Sequence, residues 1–234
     1  MRWIPFIVFL TVLQWYALQA LKTLTQNKVW WALYGLIVTL TLGNFFWQLF
    51  NYDSSVGWTP AITYTVGWFI ALISGQLVLT PILFFEDLSR LAMGIYKFFN
   101  TEQKFHISER RKFIAQAALA LSAIPFTSLL YGMYQGRYNY RVLRYTLEYD
   151  SLPESFDGFQ ITQISDLHCG SFDNFEKVAY GMDLINEQKS DLLLFTGDMV
   201  NNKSSEARPW VEKLYKLKAP YGKFSVLGNH DYGD

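Results

Sequence analysis

The feature that most constrains this chain is a series of four long apolar stretches in its first 133 residues. A helix needs about 20 apolar residues to cross the hydrocarbon core of a bilayer, and a segment exposed to lipid must satisfy its own backbone hydrogen bonds. Composition supports this interpretation, because 51% of the residues are hydrophobic and only 17% are charged. We therefore predict an α-helical membrane domain over residues 1–136. Its four spans are predicted at residues 3–21, 29–50, 61–85 and 113–133.

The first stretch could alternatively be a secretory signal peptide. Its amino-terminal region holds only Arg2, its apolar run is longer than a signal core, and no small-x-small cleavage site stands out before Lys22. Three further apolar stretches follow it. We therefore interpret it as a retained span of a multi-pass integral membrane protein.

Two glutamines, Gln48 and Gln76, lie inside the predicted spans. Such side chains could line a transport pathway, but uncharged amides in membrane helices more commonly form hydrogen bonds between helices. We favour the second role for both glutamines.

The distribution of lysine and arginine predicts the orientation of the spans. The connections after the first and third spans together hold eight basic residues, whereas the segments on the opposite side hold four. Cytoplasmic loops are enriched in basic residues, so we predict that the first and third connections are cytoplasmic. The part of the chain after residue 136 would then be extracytoplasmic. Arg137, Arg141 and Arg144, which follow the fourth span, favour the opposite orientation.

The last hundred residues show a different pattern, in which short apolar runs alternate with amphipathic segments. Strands are predicted at residues 141–149, 159–165, 192–196 and 224–227. Asp173 or Asn174 is expected to cap one intervening helix, and Ser204 or Ser205 a second. Alternating strands and helices are typical of an α/β domain with a parallel sheet. We therefore predict such a domain over residues 137–234.

Each of the last three predicted strands is followed by side chains that can bind a metal ion or transfer a proton. They are Asp166, His168, Asp198, Asn229, His230 and Asp231. Because residues i and i+2 of an extended chain point to the same side, Asp166 and His168 could converge on one ion if the strand continues that far. Ligands of open α/β sheets bind beyond the carboxyl ends of the strands. The pattern therefore predicts a site at one edge of the sheet.

Three ordered motifs in this region resemble those of the calcineurin-like metallophosphoesterase family. They are Asp166-Leu167-His168, Gly197-Asp198-Met199-Val200-Asn201 and Gly228-Asn229-His230-Asp231. Each motif alone is weak, but their order and spacing are specific, and the resemblance covers roughly the last third of the chain. It implies a membrane-anchored protein of the bacterial type, in the inner or cell membrane, with the βαβαβ start of a two-sheet sandwich as its catalytic part.

The family normally continues with a lone histidine and a Gly-His-x-His segment, which supply the remaining metal ligands. These residues are absent from this chain. We therefore expect the chain to be a C-terminally truncated metallophosphoesterase that is weakly active or inactive by itself.

The resemblance implies a cofactor of two divalent metal ions. Asp166 and His168 would hold the first ion. Asp198 would bridge the two ions, and Asn229 would bind the second through its side-chain oxygen. Oxygen and imidazole ligands suit manganese, iron or zinc and do not choose among them. Two ions about 3.5–4 Å apart neutralise phosphoryl oxygens and lower the pKa of a bound water.

The resemblance also implies catalytic roles for two residues. His230 would donate a proton to the leaving group or hold the phosphate, and Asp231 would orient His230 by accepting its other ring proton. The predicted function is hydrolysis of a phosphoester substrate, which could be lipid-linked or nucleotide-like because the domain is tethered to membrane lipid. The alternative is a catalytically inactive binding or sensory membrane protein.

The net charge is zero, so we expect no nucleic-acid-binding surface.

Several neighbouring residues have simpler interpretations. Cys169 is a conceivable metal ligand, but it would point away from the predicted ligands on either side of it, so we favour packing. Asn201 and Asn202 are expected to be loop or cap residues. His106 lies in the basic connection and is expected to be solvated.

Overall fold

The computed structural model describes residues 3–53, 58–99 and 108–232. Contacts divide the chain into two compact units. The first is built from the chain up to residue 51 and from residues 64–134, and the second from residues 52–63 and the chain from residue 135 onward. The domain boundary at residue 136 stays a prediction. Part of the exit after the second span, and the basic segment with Lys104 and His106, lie outside the described residues.

Among the residues that the structure describes, the first unit consists of four helices that are long and apolar enough to cross a membrane. They are α1 (Ile4–Leu24), α2 (Lys28–Phe50), α3 (Pro60–Phe99) and α4 (Ser108–Tyr134). The predicted membrane domain with four spans is therefore confirmed.

The largest difference from the predicted spans is the length of α3. This helix continues to Phe99 instead of ending at residue 85. No proline lies between Pro81 and Phe99, and Leu88, Leu91 and Ile95 keep the spacing of an apolar helix face. At 1.5 Å per residue its 40 residues extend about 60 Å, roughly twice the thickness of the hydrocarbon core.

Small side chains line the packed part of this unit. α1 packs against α4 and α2, and the core of the unit contains four buried alanines. They are Ala17, Ala20, Ala115 and Ala118. In lipid, small residues let helix backbones approach closely and gain dispersion contacts. α2, by contrast, buries none of its residues, which suits a helix that faces lipid.

Polar side chains inside the spans bond to one another. Gln76 of α3 is only 4% exposed, and its amide exchanges hydrogen bonds of 2.7 and 2.8 Å with Gln14 of α1. Tyr34 of α2 donates to Gln14 at 2.7 Å. In the same way, Asn44 donates to Thr65. The predicted interhelical role of Gln76 is confirmed, and that of Gln48 stays a prediction.

The second unit contains a small parallel sheet with strand order β1-β2-β3. Its elements are β1 (Ile161–Ile164), α5 (Phe175–Glu187), β2 (Leu192–Phe195), α6 (Val211–Tyr215) and β3 (Lys223–Ser225). A 3₁₀ segment at Ser204–Trp210 leads into α6. The predicted α/β class with a βαβαβ order is confirmed, whereas the second sheet of a sandwich stays a prediction.

The core of this unit lies between the sheet and its helices. Its buried residues are Tyr138, Cys169, Val178, Met182, Leu193, Trp210 and Leu217. Asn174 begins α5 by accepting a 2.9 Å hydrogen bond from the backbone N–H of Lys177. One of the two predicted caps is thereby confirmed. At the second helix, the 3₁₀ segment with Pro209 replaces the expected first α-helical turns, because proline lacks the N–H that such a turn uses.

The predicted strand at residues 141–149 is wrong. These residues form no regular secondary structure within the part of the chain that the structure describes. Their apolar side chains, such as Tyr145 and Leu147, are 79% and 69% exposed. Alternating apolar and polar residues indicate a strand only where one face is buried, and here neither face is covered.

Candidate metal centre

The candidate site lies where the parallel strands end. Because β1 and β2 run in the same direction, the loops after them leave from one edge of the sheet. Hydrogen bonds between the loops continue the strand pairing: the N–H of Asp166 donates to the carbonyl of Gly197 at 3.0 Å, and that of His168 to the carbonyl of Asp198 at 3.1 Å. The backbone therefore holds the first two motifs side by side.

The strand does not continue to His168, because β1 ends at Ile164. Asp166 and His168 have φ angles of 53° and 46°, in the left-handed region, and Asp198 has a φ of 58°. Non-glycine residues rarely adopt such angles, and they cluster at functional sites where surrounding contacts hold them. Asp166 and His168 thus come together through a turned loop and not through the alternation of an extended strand.

Two glycines let the second and third motifs approach closely. Gly197 has a φ of +106°, and a Cβ placed on it would collide with the backbone of Gly228. A Cβ placed on Gly228 would collide with the backbone and carboxylate of Asp198. Only glycine leaves room for this approach and tolerates this φ. These residues bring Asp198 against the third motif.

Three predicted residues converge at this edge. Ligand atoms of His168, Asp198 and His230 all lie within 4.8 Å of one another. The two imidazole rings are 4.8 Å apart between centroids and nearly perpendicular. The backbone N–H of His230 donates to Oδ1 of Asp198 at 2.8 Å, which orients a carboxylate that is only 9% exposed. The structure therefore brings together one residue from each motif.

The two other predicted ligands lie at the rim. Oδ1 of Asp166 is 3.9 Å from Nε2 of His168, and the Asp166 side chain is 63% exposed. Its other carboxylate oxygen accepts a hydrogen bond from Ser165. Asn229 begins an exposed 3₁₀ turn, Asn229–Tyr232. The assignment of Asp166 and Asn229 to particular metal ions stays a prediction.

The carboxylate of Asp231 binds backbone amides. Oδ2 accepts from the N–H groups of Asp198 at 2.8 Å and Gly228 at 2.9 Å. Oδ1 accepts from those of Met199 at 2.8 Å and Val200 at 3.3 Å. Burial alone would raise the pKa of this carboxyl, but the four N–H donors outweigh burial and lower the pKa below its usual value. Asp231 therefore fastens the second motif to the third.

The expected contact of Asp231 with the His230 ring is wrong. Nδ1 of His230 lies 2.8 Å from the backbone carbonyl of Asn201. A carbonyl can only accept, so Nδ1 carries the proton in this hydrogen bond, and Nε2 is left for a metal ion or substrate. The Asn201 backbone is itself held, since its N–H donates to Glu206 at 2.7 Å. Sequence reasoning missed Glu206 and the carbonyl of Asn201, because a main-chain acceptor has no sequence signature.

Cys169 packs into the core, which confirms the simpler interpretation. Its side chain is 2% exposed, and its sulfur lies 3.9 Å from the sulfur of Met199. Burial raises the pKa of this thiol to about 11. A metal ligand would need the thiolate, so Cys169 is unsuited to that role.

The donors that remain fit a divalent metal ion. Two imidazoles and a carboxylate, with no thiolate, are the ligand types of manganese, iron and zinc sites. The three side chains come from three different motifs, and their ligand atoms lie within 4.8 Å of one another. Both their chemistry and their spacing therefore fit a metal ion of this class.

Comparisons with known proteins identify the family models that the two parts of the chain match. Residues 1–137 match the family model "Probable Calcineurin-like phosphoesterase, transmembrane domain", and residues 159–234 match the model "Calcineurin-like phosphoesterase". No solved structure is significantly similar to the chain.

Three relatives show the range of similarity. "Uncharacterized metallophosphoesterase YkuE" of Bacillus subtilis is 34% identical over 53% of this chain and 45% of its own length. "Transmembrane protein with metallophosphoesterase domain" of Danio rerio is 24% identical over 88% of this chain and 45% of its own length. "UDP-2,3-diacylglucosamine pyrophosphatase LpxG" of Chlamydia muridarum is 32% identical over 50% of this chain and 36% of its own length.

The chain thus spans less than half the length of these curated relatives. The transmembrane family model nevertheless covers more than half of this chain. Four apolar helices, a parallel sheet and the three motifs at its edge accompany that match. The chain is a membrane protein and belongs to the calcineurin-like phosphoesterases with a four-helix transmembrane domain.

Proposed function

We propose that the protein hydrolyses phosphoester bonds with two divalent metal ions held at the membrane. The observation that carries this proposal is the convergence of His168, Asp198 and His230 within 4.8 Å at the carboxyl ends of parallel strands. Calcineurin-like phosphoesterases use divalent metals, and the donor types found here suit manganese, iron or zinc.

In this proposal each ligand comes from a strand-end loop. Asp166, His168, Asp198 and Asn229 would together hold the two ions. When bound, the ions supply charge to neutralise the phosphoryl oxygens and to acidify a water molecule. The left-handed loops and the His230 N–H that donates to Asp198 hold the ligands before any ion arrives.

His230 is proposed as the proton donor to the leaving group or the residue that holds the phosphate. The Asn201 carbonyl occupies Nδ1, so Nε2 is the nitrogen available for either task. Asp231 does not take part in the proton transfer. It holds the loops in place through four backbone amides.

The membrane helices support a substrate that reaches the site from the bilayer. One relative is named for a pyrophosphatase that acts on UDP-2,3-diacylglucosamine, which carries two acyl groups. We therefore propose a lipid-linked phosphoester as the substrate class. From the excess of basic residues in the first and third connections we further propose that the catalytic unit is extracytoplasmic.

The test is hydrolysis of an aryl phosphomonoester and an aryl phosphodiester by the full-length protein, with and without Mn²⁺. We expect Mn²⁺-stimulated turnover that falls at least about 100-fold in Asp198→Asn, because the bridging carboxylate becomes a neutral amide. Asp183→Asn, on the exposed face of α5, is the matched control and should retain the parent activity.

The outcomes separate the two predicted classes of function. Turnover that is lost in Asp198→Asn and kept in Asp183→Asn supports the hydrolase and ranks the two ester types. Bound Mn²⁺ without turnover of aryl or lipid-linked phosphoesters would overturn it and favour a binding or sensory role.

A further inference from the structure

The segment that follows the last membrane helix is built into the second unit. α4 ends at Tyr134, and a 3₁₀ turn at Gly136–Tyr138 follows it directly. Tyr138 is only 8% exposed and belongs to the core of the second unit. The chain leaving the membrane helices therefore enters the core of the unit with the metal centre within four residues of the helix end.

Arg137 binds the loop that carries His168. Its guanidinium donates to the backbone carbonyl of Ser171 at 2.8 Å and to the carboxylate of Asp173 at 2.6 Å. The Arg137 side chain is 19% exposed, so solvent screens this pair less than it would a surface ion pair. Tyr138 donates to the second oxygen of Asp173 at 2.6 Å. A planar guanidinium can hold two acceptors in fixed geometry, which a single ammonium cannot.

The carbonyl that Arg137 holds belongs to a turn adjoining the metal centre. The N–H of Ser171 donates to the carbonyl of His168 at 2.8 Å, which closes the 3₁₀ turn Cys169–Ser171. His168 itself has a left-handed φ of 46° and needs surrounding contacts to stay there. Arg137 holds the carbonyl of Ser171 at the other end of this turn.

The same turn reaches His230 through Asn201. The side-chain amide of Asn201 donates to the hydroxyl of Ser171 at 3.0 Å, and the Asn201 carbonyl accepts the Nδ1 hydrogen of His230 at 2.8 Å. A continuous set of hydrogen bonds thus runs from Arg137 through Ser171 and Asn201 to both histidines of the centre.

We propose that Arg137, at the exit of the last membrane helix, is a positioning residue for the metal centre, because it fixes the turn on which the placement of His168 and His230 depends. This inference rests on the proposed function, since it requires that His168 binds a metal ion and that His230 lies beside that ion. It also means that a residue just after α4 helps to keep the metal centre ordered.

The test is the affinity of the full-length protein in detergent for Mn²⁺, measured from the electron paramagnetic resonance signal of the free ion. We expect Arg137→Gln to weaken Mn²⁺ binding about tenfold, as loss of residues that support metal ligands commonly does. Arg144→Gln is the matched control. Arg144 is an exposed arginine of the same unit that donates to Gln188 and does not contact the site, so its loss should leave the affinity unchanged.

Near-ultraviolet circular dichroism of each variant, compared with that of the parent, checks that the aromatic side chains remain packed, so that weakened binding can be distinguished from loss of fold. Arg137→Lys keeps the charge but cannot hold both acceptors, and we expect a loss about half as large on a logarithmic scale. If Arg137→Gln does not fold, Arg137→Lys carries the test. Parent-like affinity in the folded Arg137→Gln protein, or in Arg137→Lys where it alone folds, would overturn the proposal.

Failure of the proposed function would be seen differently. Either the parent protein itself would bind no Mn²⁺ and Asp198→Asn would not differ from it, or the parent would bind Mn²⁺ and hydrolyse no phosphoester whatever the effect of Arg137→Gln on binding. Mn²⁺ binding that is lost in Asp198→Asn and unaffected by Arg137→Gln would overturn the positioning role alone.

Discussion

Hydrogen bonds between the helices of the membrane unit join side chain to side chain, whereas Asp231 and Glu206 of the second unit accept from backbone amides of loops. Gln14, Tyr34 and Gln76 form a closed set of side-chain hydrogen bonds, because each helix already satisfies its own backbone. Asp231 and Glu206 instead accept from backbone amides of loops. The difference follows from the surroundings. A helix in lipid must satisfy all its backbone hydrogen-bonding groups, whereas the backbone N–H groups beyond a strand end can donate to a carboxylate.

The largest effect should come from the backbone approach in the second unit. Gly197→Ala would place a Cβ against the backbone of Gly228 at a φ of +106°. Strain and collision together should cost about 4 kcal/mol, since the left-handed penalty alone is about 1–2 kcal/mol. Hydrogen exchange of residues 192–201 in the full-length protein should then be faster by about two to three powers of ten.

Gly158→Ala is the control for this substitution. Gly158 has a φ of +74°, but a Cβ there would meet no atom within 4 Å. It should show only the conformational cost of about 1 kcal/mol. Equal effects at residues 158 and 197 would mean that the contact between Gly197 and Gly228 does not matter.

An intermediate effect is expected from Asp231→Asn. The amide has one acceptor oxygen where the carboxylate has two, so backbone N–H groups of Met199 or Asp198 would lose their partner. We expect a loss of about 3 kcal/mol, seen as faster exchange of the same residues, whereas Asp183→Asn should stay within about 0.5 kcal/mol.

The pH dependence sharpens this prediction. The pKa of Asp231 is lower in the folded state than its usual value of 3.8. Its contribution to stability is therefore fully present above pH 3.8 and is lost as the pH falls through the folded-state pKa. Asp231→Asn should remove this part of the acid destabilisation. If Asp231→Asn lost as much stability as the parent when the pH falls below 3.8, the Asp231 carboxylate would not be stabilised by these amides.

The smallest effect should come from the membrane unit. Gln76→Leu would remove a side chain that bonds to Gln14 and Tyr34. Side-chain hydrogen bonds between membrane helices contribute about 0.6 kcal/mol on average and at most about 1.7 kcal/mol. We therefore expect a loss of about 1 kcal/mol in unfolding by dodecyl sulfate in mixed micelles.

Thr11→Val is the matched control in the membrane. Thr11 donates only to the carbonyl of Ile7 in its own helix, so its loss should be nearly neutral. A loss at Gln76 as large as that at Asp231 would remove the contrast between the two units.

The parts of the structure that could be predicted are those governed by pattern. Lipid requires long apolar helices, so hydropathy identifies the four spans. The alternation of strands and helices, together with the polar residues after Ile164 and Phe195, predicts a site at one edge of the sheet. His168, Asp198 and His230 meet there as expected.

The parts that could not be predicted depend on backbone conformation. The left-handed angles of Asp166, His168 and Asp198 turn the loops that follow β1 and β2. Aspartate and histidine adopt such angles too rarely for their presence in a sequence to predict them. The His230 ring bonds to the Asn201 carbonyl and not to Asp231, and a main-chain acceptor has no sequence signature. At residues 141–149 the alternation of apolar and polar residues predicts a strand that the structure does not contain, since neither face of this segment is buried.

The hydrogen bonds among Gln14, Tyr34 and Gln76 bear on the order in which the membrane helices come together. All three side chains are uncharged, so each helix can enter the bilayer before its partners are present, at a modest cost. The bond from Tyr34 to Gln14 can form once the first two helices are inserted, and Gln76 can join only when α3 follows. The third helix then closes the set, so these bonds can form in the order in which the helices are synthesised, and the full set requires all three helices.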